Sequence, residues 1–284
     1  SHRQTHFAND ELCVLTRDVA KTRALFDDQV QVIDNIAEIN FADVDVVLNL
    51  AGEPIVNKRW SAKQKEMLCN SRWQLTDQIV NKMNKEVSQD KPIRFISGSA
   101  VGIYGRQGNA TIIENHKHYF PEFSHTLCQR GEDIAMTAKR ANTAIWRTGI
   151  VLSPNGGALD KMLLPFKLGL GGPIASGQQY MPWIHINDMV NAINYLIEHT
   201  VMVGPFNLTA PNPVTNKEFS KTLAATLHRP CVFFVPKFVM QLMMGEMADL
   251  VLYGQKAIPQ NLIDAGFKFE YEELKPALVD ILAK

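Results

Sequence analysis

RTGIVLSPNGGALDKMLLPFKLGLGGPIASGQQYMPWIHINDMV, residues 147–190, decides the fold class of this chain. Its first residues close an apolar run, AIWRTGIVLS, with the length and composition of a buried strand. Its centre, GLGGPIASG at 169–177, holds too many glycines for a helix and lacks the Lys-Ser/Thr that ends a phosphate loop, so it reads as the flexible edge of a cleft. Its end, PWIHIND, leads into a helix over 187–199 with apolar positions at Met189, Val190, Ile193, Leu196 and Ile197. Asn187 and Asp188 supply capping groups, and His185 with Asp188 reads as a strand-to-helix hydrogen-bonding pair. Trp183, an aromatic just ahead of a capped helix, is placed to roof a cleft. Strand end, glycine-rich wall and capped helix in that order belong to an α/β scaffold.

Upstream the same alternation recurs. Apolar runs at 12–15, 44–48 and 93–96 read as buried strands separated by longer amphipathic stretches, the pattern of βαβ units and a parallel sheet. Over 61–85, an N-cap at Ser61 and apolar Met67, Leu68, Leu75, Ile79, Val80 and Met83 predict the crossover helix joining two of those strands. Downstream the character changes: GPFNLTAPNPVTN is a short strand and a Pro/Asn-rich turn, Thr215 or Asn216 caps a helix to residue 227, and 232–235 reads as a strand. The expected fold is a Rossmann-like doubly wound parallel α/β sheet with a smaller C-terminal α+β lobe. The sheet domain takes 1–168 plus 184–203, and the lobe takes 169–183 plus 204–284.

With 284 residues, 46% hydrophobic and 20% charged, the chain can bury one large core and a smaller one. A formal net charge of +0 provides no field for nucleic acid or an anionic membrane. The four cysteines, Cys13, Cys69, Cys128 and Cys231, form no CxxC or Cys/His cluster, so no metal is expected and the thiols read as reduced. No apolar run approaches the ~20 residues that span a bilayer. These features predict a cytoplasmic protein whose partner is a small molecule, and they are compatible with a homodimer.

NLAGEPI, 49–55, follows directly on a strand, and Leu50, Ala51, Gly52 and Glu53 stand where backbone approaches something closely. A tight strand-to-loop turn would explain this; so would a dinucleotide lying against the carboxyl ends of the strands. Thr16 and Arg17 end the strand at 12–15, where an acidic residue suits the ribose of NAD and a cation suits a 2′-phosphate. Arg17 therefore points to NADP. NAD is the second choice, because Asp18 is adjacent and an exposed arginine commonly sits in a surface ion pair. Lys58, Arg59 and Trp60 follow the loop, placing a cation and an aromatic to face an anionic or planar substrate.

VLTR, NLAGEPI, KRW, SGSAVGIYG, RTGIVLSPNGG, PFKLGLGGPI, PWIHIND and LYGQKAIPQNLIDAGF together resemble the epimerase family of atypical short-chain dehydrogenase/reductase-like proteins, over essentially the whole chain. The resemblance implies NAD(P) binding, with Ser97, Arg147, Thr148 and Gly149 at the nicotinamide end. Ser99 matches the family's catalytic serine, a hydrogen-bond donor, and Tyr104 matches the tyrosine of its Val-Tyr-Gly turn with one extra residue between them. Arg72 falls near an active-site asparagine of related enzymes, which with Arg59, Trp60 and Trp183 gives the substrate-binding set.

Such oxidoreductases carry Tyr-x-x-x-Lys on one helix face, the lysine lowering the phenol's pKa for proton transfer. This chain has Ser124 and Cys128 at those positions. Either His125, beside the lost tyrosine, or Tyr104 then handles the proton, or the protein binds a dinucleotide as a sensor without conventional turnover. A doubly wound sheet opens with a strand, a glycine-rich turn and a helix whose N-terminus holds pyrophosphate. In the resembled family that turn precedes the strand matching 12–17, so 1–9 correspond to the tail of the first helix and the first βα unit is expected to be missing. The function implied is an NAD(P)-dependent epimerase or oxidoreductase of extended short-chain dehydrogenase type, acting on a small polar or sugar-nucleotide-like substrate.

Overall fold

A computed structural model describes residues 10–26, 30–154 and 156–283. The N-terminal half runs β1 (Cys13–Leu15), α1 (Val19–Arg23), β2 (Gln31–Ile33), β3 (Val46–Asn49), α2 (Ala62–Glu86), β4 (Ile93–Ala100), β5 (Thr111–Ile112), α3 (Phe123–Ala135) and β6 (Ala141–Thr148). It continues with β7 (Ile150–Leu152), α4 (Gly157–Lys167), β8 (Tyr180–Met181), β9 (Trp183–His185), α5 (Ile186–Glu198) and β10 (Gly204–Leu208). The remainder is β11 (Val214–Thr215), α6 (Asn216–Thr226), α7 (Lys237–Met244), α8 (Asp249–Leu252), β12 (Lys256–Ala257), α9 (Gln260–Asp264) and α10 (Leu274–Ala283). Residues 1–9, read from sequence as a helix tail, lie outside the described residues.

Four strands pair in parallel in the order β10-β6-β4-β3, and β1 pairs in parallel with β2. Side chains alternate across this sheet as the strand period requires. Phe95 and Ile145 face Ile79, Val80 and Met83 of α2 and Ala135 of α3. Ile96, Ala144 and Trp146 face Met189, Ala192 and Leu196 of α5. Both faces are covered, which is why these strands read as continuous apolar runs. This is the Rossmann-like α/β architecture expected from sequence.

Caps fix the helix starts. The Ser61 hydroxyl accepts from the Gln64 amide at 3.2 Å, and Thr215 forms a capping box with Glu218, which decides between Thr215 and Asn216. Helix α5 begins at Ile186, and its cap is His185, whose Nδ1 accepts from the Asn187 amide at 3.1 Å. The Asp188 carboxylate instead accepts the amides of Glu270 and Tyr271 at 2.8 and 3.0 Å, tying α5 to the approach of α10.

The second core gathers Leu152, Leu159, Phe166, Phe219, Leu223 and Leu278. Trp183 belongs to it: the indole is fully buried and donates to the Asn212 carbonyl at 3.3 Å, so it supports the lobe from inside rather than roofing a cleft. Two further expectations need correction. Strand β10, placed with the second lobe, is the edge of the central sheet beside β6. Residues 232–235 form no strand; Val235 alone bridges to Ile174, and the prolines at 230 and 236 lack the N–H that a longer ladder would need. Among the described residues no helix is long and apolar enough to cross a membrane.

Candidate functional site

The tips of β1, β3 and β4 come together at their carboxyl ends. Thr16 closes the β1 ladder on the Ile33 carbonyl at 2.9 Å, and its hydroxyl accepts from the Asp18 amide at 3.2 Å. Arg17 stands 84% exposed, with Nη2 3.5 Å from a Glu53 carboxylate oxygen, so the β1 tip meets the loop after β3. In that loop Leu50 is 70% exposed. Asn49 anchors it from below: its amide donates to Thr76 at 2.9 Å and to Ser97 at 3.1 Å, while its oxygen accepts from the Ala51 amide at 3.2 Å. Ser97 is buried and pins β3 to β4 rather than lining the cleft.

Arg72 lies beneath the same loop, donating to the carbonyls of Glu53 at 3.0 Å and Leu68 at 3.2 Å. A Cβ at Gly52 would sit 2.8 Å from Arg72 Cζ, so a larger residue there would displace the guanidinium from these carbonyls. Arg59 donates through Nε to the Met243 carbonyl at 3.0 Å and through Nη2 to that of Leu242, so its cation holds the second lobe. Trp60 donates to the Ile55 carbonyl at 3.0 Å and meets the Phe123 ring edge-on at 4.9 Å between centroids.

Under the tips of β4 and β6 lies a buried polar network. The Ser99 hydroxyl donates to Glu132 Oε1 at 2.6 Å, and Arg147 holds the same carboxylate through Nε at 3.0 Å and Nη2 at 2.8 Å. Arg147 Nη1 donates to the Tyr104 hydroxyl at 2.9 Å and the Glu114 carbonyl at 3.2 Å. Tyr104, wholly buried, donates in turn to Asn207 Oδ1 at 2.7 Å. Burial alone would weaken the guanidinium; the Glu132 carboxylate more than offsets this and holds Arg147 above its usual range. Burial pushes the Tyr104 phenol up to about 12, the Arg147 charge only partly opposing it. Ser99 is half-buried with its one proton directed at Glu132, so the donor role expected of it is already taken inside the protein.

Thr148 ends β6, paired in register with Ala100 and Leu208. Gly149 donates to the Leu208 carbonyl at 3.0 Å, and a Cβ there would run into the Pro182 carbonyl, so close backbone packing suffices to require glycine. On α3, Ser124 is buried and donates to Glu122 at 2.9 Å. Burial, reinforced by the Glu132 charge, pushes the Cys128 thiol up to about 11 and keeps it neutral. His125 Nδ1 donates to the Ile103 carbonyl at 2.6 Å and the ring stacks on Tyr119 at 5.0 Å between centroids, so Nε2 is the ring nitrogen turned to other partners. Sequence reasoning assigned no role to Glu132, Glu114 or Asn207. The first had a signal: 124, 128 and 132 share one helix face at four-residue spacing.

Parallel strand tips, a glycine-lined loop after β3 and a polar helix wall at α3 define a Rossmann-type α/β protein of the short-chain dehydrogenase kind. The sequence profile of the NAD dependent epimerase/dehydratase family matches residues 8–208, and that of a domain of unknown function, DUF1731, matches 235–281. The epimerase family protein SAR0825 of Staphylococcus aureus is 37% identical over 269 residues, covering 90% of this chain and 89% of the relative. YfhF of Bacillus subtilis, also an epimerase family protein, is 37% identical over 244 residues, 84% of this chain and 78% of the relative. The crystal structure of human epimerase family protein SDR39U1 (isoform 2) with NADPH superposes with a TM-score of 0.88 at 30% identity, covering 99% of this chain and 94% of that one. MoeE5 in complex with UDP-glucose and NAD shares the fold, with a TM-score of 0.73 at 16% identity over 99% of this chain and 94% of its own. The chain belongs to the NAD dependent epimerase/dehydratase family.

Proposed function

We propose that the protein is an NADP-dependent oxidoreductase or epimerase of the extended short-chain dehydrogenase type, acting on a small molecule in a cytoplasmic, reducing compartment. The observation that carries this reading is the exposed Arg17 guanidinium at the tip of β1, beside the loop of Leu50–Glu53. An exposed cation there suits a 2′-phosphate, and the human relative was solved with NADPH. The donor set fits a dinucleotide: Thr16 and Arg17 hold the phosphorylated ribose, Ala51 and Gly52 let the chain approach, and Thr148 and Gly149 border the nicotinamide end. Bound there, a nicotinamide dinucleotide supplies hydride transfer. Four free cysteines accord with the reducing compartment.

The protein's own task is then to position the substrate and move one proton. Tyr104 is sealed into the network below the cleft, which leaves His125 Nε2 as the proton-handling atom. Calorimetry with NADPH and NADH tests the cofactor. Arg17→Glu should weaken NADPH about tenfold or more while leaving NADH nearly unchanged; equal effects on both would remove the NADP assignment. His125→Gln should abolish turnover without changing NADPH affinity, and full activity would remove the acid-base assignment.

A second reading has its own support. Ser124 is bonded to Glu122 and Cys128 is a neutral thiol, so the Tyr–Lys pair has no chemical equivalent at those positions. A dinucleotide sensor would bind NADPH saturably and show no turnover across carbonyl and sugar-nucleotide substrates.

A further inference from the structure

The loop after β3 is fastened to α2 through the backbone of one residue. The Glu53 amide donates to the Ser71 hydroxyl at 2.9 Å, the Glu53 carbonyl accepts from Arg72 at 3.0 Å, and Ser71 in turn donates to the Leu68 carbonyl at 3.0 Å. Both backbone polar groups of Glu53 are therefore committed to α2, and its side chain, 15% exposed, is held beside the β1 tip. Arg17 reaches it from the other side. The arginine is 84% exposed, and its Nη2 lies 3.5 Å from Glu53 Oε2. Asp18, the next residue, turns its carboxylate to the Lys21 amide at 3.0 Å as the cap of α1, so the acid that meets Arg17 is Glu53.

A cation at this strand tip suits a phosphate, and a carboxylate suits the free diol of a ribose. Here the two stand in contact. Their 3.5 Å separation exceeds the about 2.7–2.9 Å of a charge-assisted hydrogen bond, so the ion pair is loose enough to open. A phosphate monoester carries about −1.5 to −2 charge at neutral pH. To pair with Arg17 it must take the guanidinium from Glu53 and settle beside a carboxylate whose backbone is fixed. A ribose hydroxyl donates to a carboxylate and meets no such penalty.

We infer that Glu53 is a specificity-determining residue: it competes for Arg17 and holds down the preference for a 2′-phosphorylated dinucleotide. The inference rests on the dinucleotide reading above for where the adenosine end lies. It adds that selectivity is set by a pair of opposite charges and not by Arg17 alone.

Adenosine 2′,5′-bisphosphate and 5′-AMP, which differ only in the 2′-phosphate, test it by calorimetry on the full chain, with NADPH and NADH measured in parallel. Glu53→Gln should tighten the bisphosphate and NADPH about three- to tenfold at low salt and leave 5′-AMP and NADH no tighter. In ~1 M salt, where the screening length is about 3 Å, most of that gain should go. With Arg17→Ala already in place the gain should fall below about twofold, because no guanidinium is left to compete for. Glu53→Gln and a second variant, Glu53→Ala, keep both backbone bonds of residue 53, so both should melt as the parent does and agree in affinity. No gain in either variant, an equal gain for 5′-AMP and NADH, or a gain undiminished by Arg17→Ala overturns the inference. A parent that binds the bisphosphate no more tightly than 5′-AMP strikes the NADP assignment instead, and the inference then stands only if Glu53→Gln creates the preference. Should neither parent nor variant bind any of the four ligands, both fall.

Discussion

The buried floor under β4 and β6 and the exposed wall of helix α7 are built on opposite terms. Beneath β4 and β6, Arg147, Glu132, Tyr104 and Asn207 are buried and bonded to one another, so each polar group needs the others to be there at all. On α7 no side chain is buried, and the helix owes its place to anchors on either side. The floor is pre-organised and costly to alter; the wall is adaptable and cheap to alter.

The largest effect should come from breaking the floor. Arg147→Ala leaves the Glu132 carboxylate with the Ser99 hydroxyl but without its buried cation, and removes the donor to the Tyr104 hydroxyl; removing one partner of a buried ion pair costs about 3–5 kcal/mol. Urea unfolding checks this, and a loss under about 1 kcal/mol would show that water reaches Glu132 and that the network is not closed. Tyr104→Phe is the gentler form of the same experiment. It leaves Asn207 Oδ1 without its hydroxyl donor while keeping the ring, so about 1–3 kcal/mol should be lost. If Tyr104→Phe instead abolished turnover at unchanged stability, the phenol would belong to the chemistry and the floor to the cleft.

Those two variants also mark where sequence stopped being informative. The apolar runs of β3, β4 and β6 and the capped stripe of α2 were legible, because burial on both sheet faces writes itself into local composition. Arg147 was not. A strand-end arginine reads as facing a ligand, and its carboxylate lies fifteen residues earlier on another element, where only tertiary register brings them together. Trp183 misled for the same reason, since the lobe core that encloses it is assembled from β7, α4, α6 and α10. The place of the loop after β3 was easier, because it follows directly on an apolar run, which a single sequence does report.

The joint between α5 and the approach to α10 should respond to pH. Burial lowers the pKa of His185, with Asp280, Asp188 and Glu270 acting in the opposite sense. The unfolded chain protonates this ring near 6.5, so between the lower folded value and about 6.5 the unfolded state holds more protons and stability rises with pH. Acidifying from neutrality through that window should therefore destabilise the protein, and His185→Gln should flatten the slope. Asp188 works the other way: burial raises its folded pKa, so its contribution falls as pH rises through the window above about 3.9. An unchanged pH slope in His185→Gln would mean that the stack on Tyr271, 3.9 Å between centroids, opens before the ring protonates.

The smallest effect, and the sharpest test of the contrast, belongs to the wall. Phe238→Ser removes a large aromatic, which in a core would cost about 3–5 kcal/mol. On α7 the ring is 68% exposed and the helix has no buried face to lose, so the change should stay within about 0.5 kcal/mol in urea. A core-sized loss would mean that the ring is covered in solution, by a second chain or by another part of this one. In that case stability should depend on protein concentration if a second chain is responsible, and not otherwise.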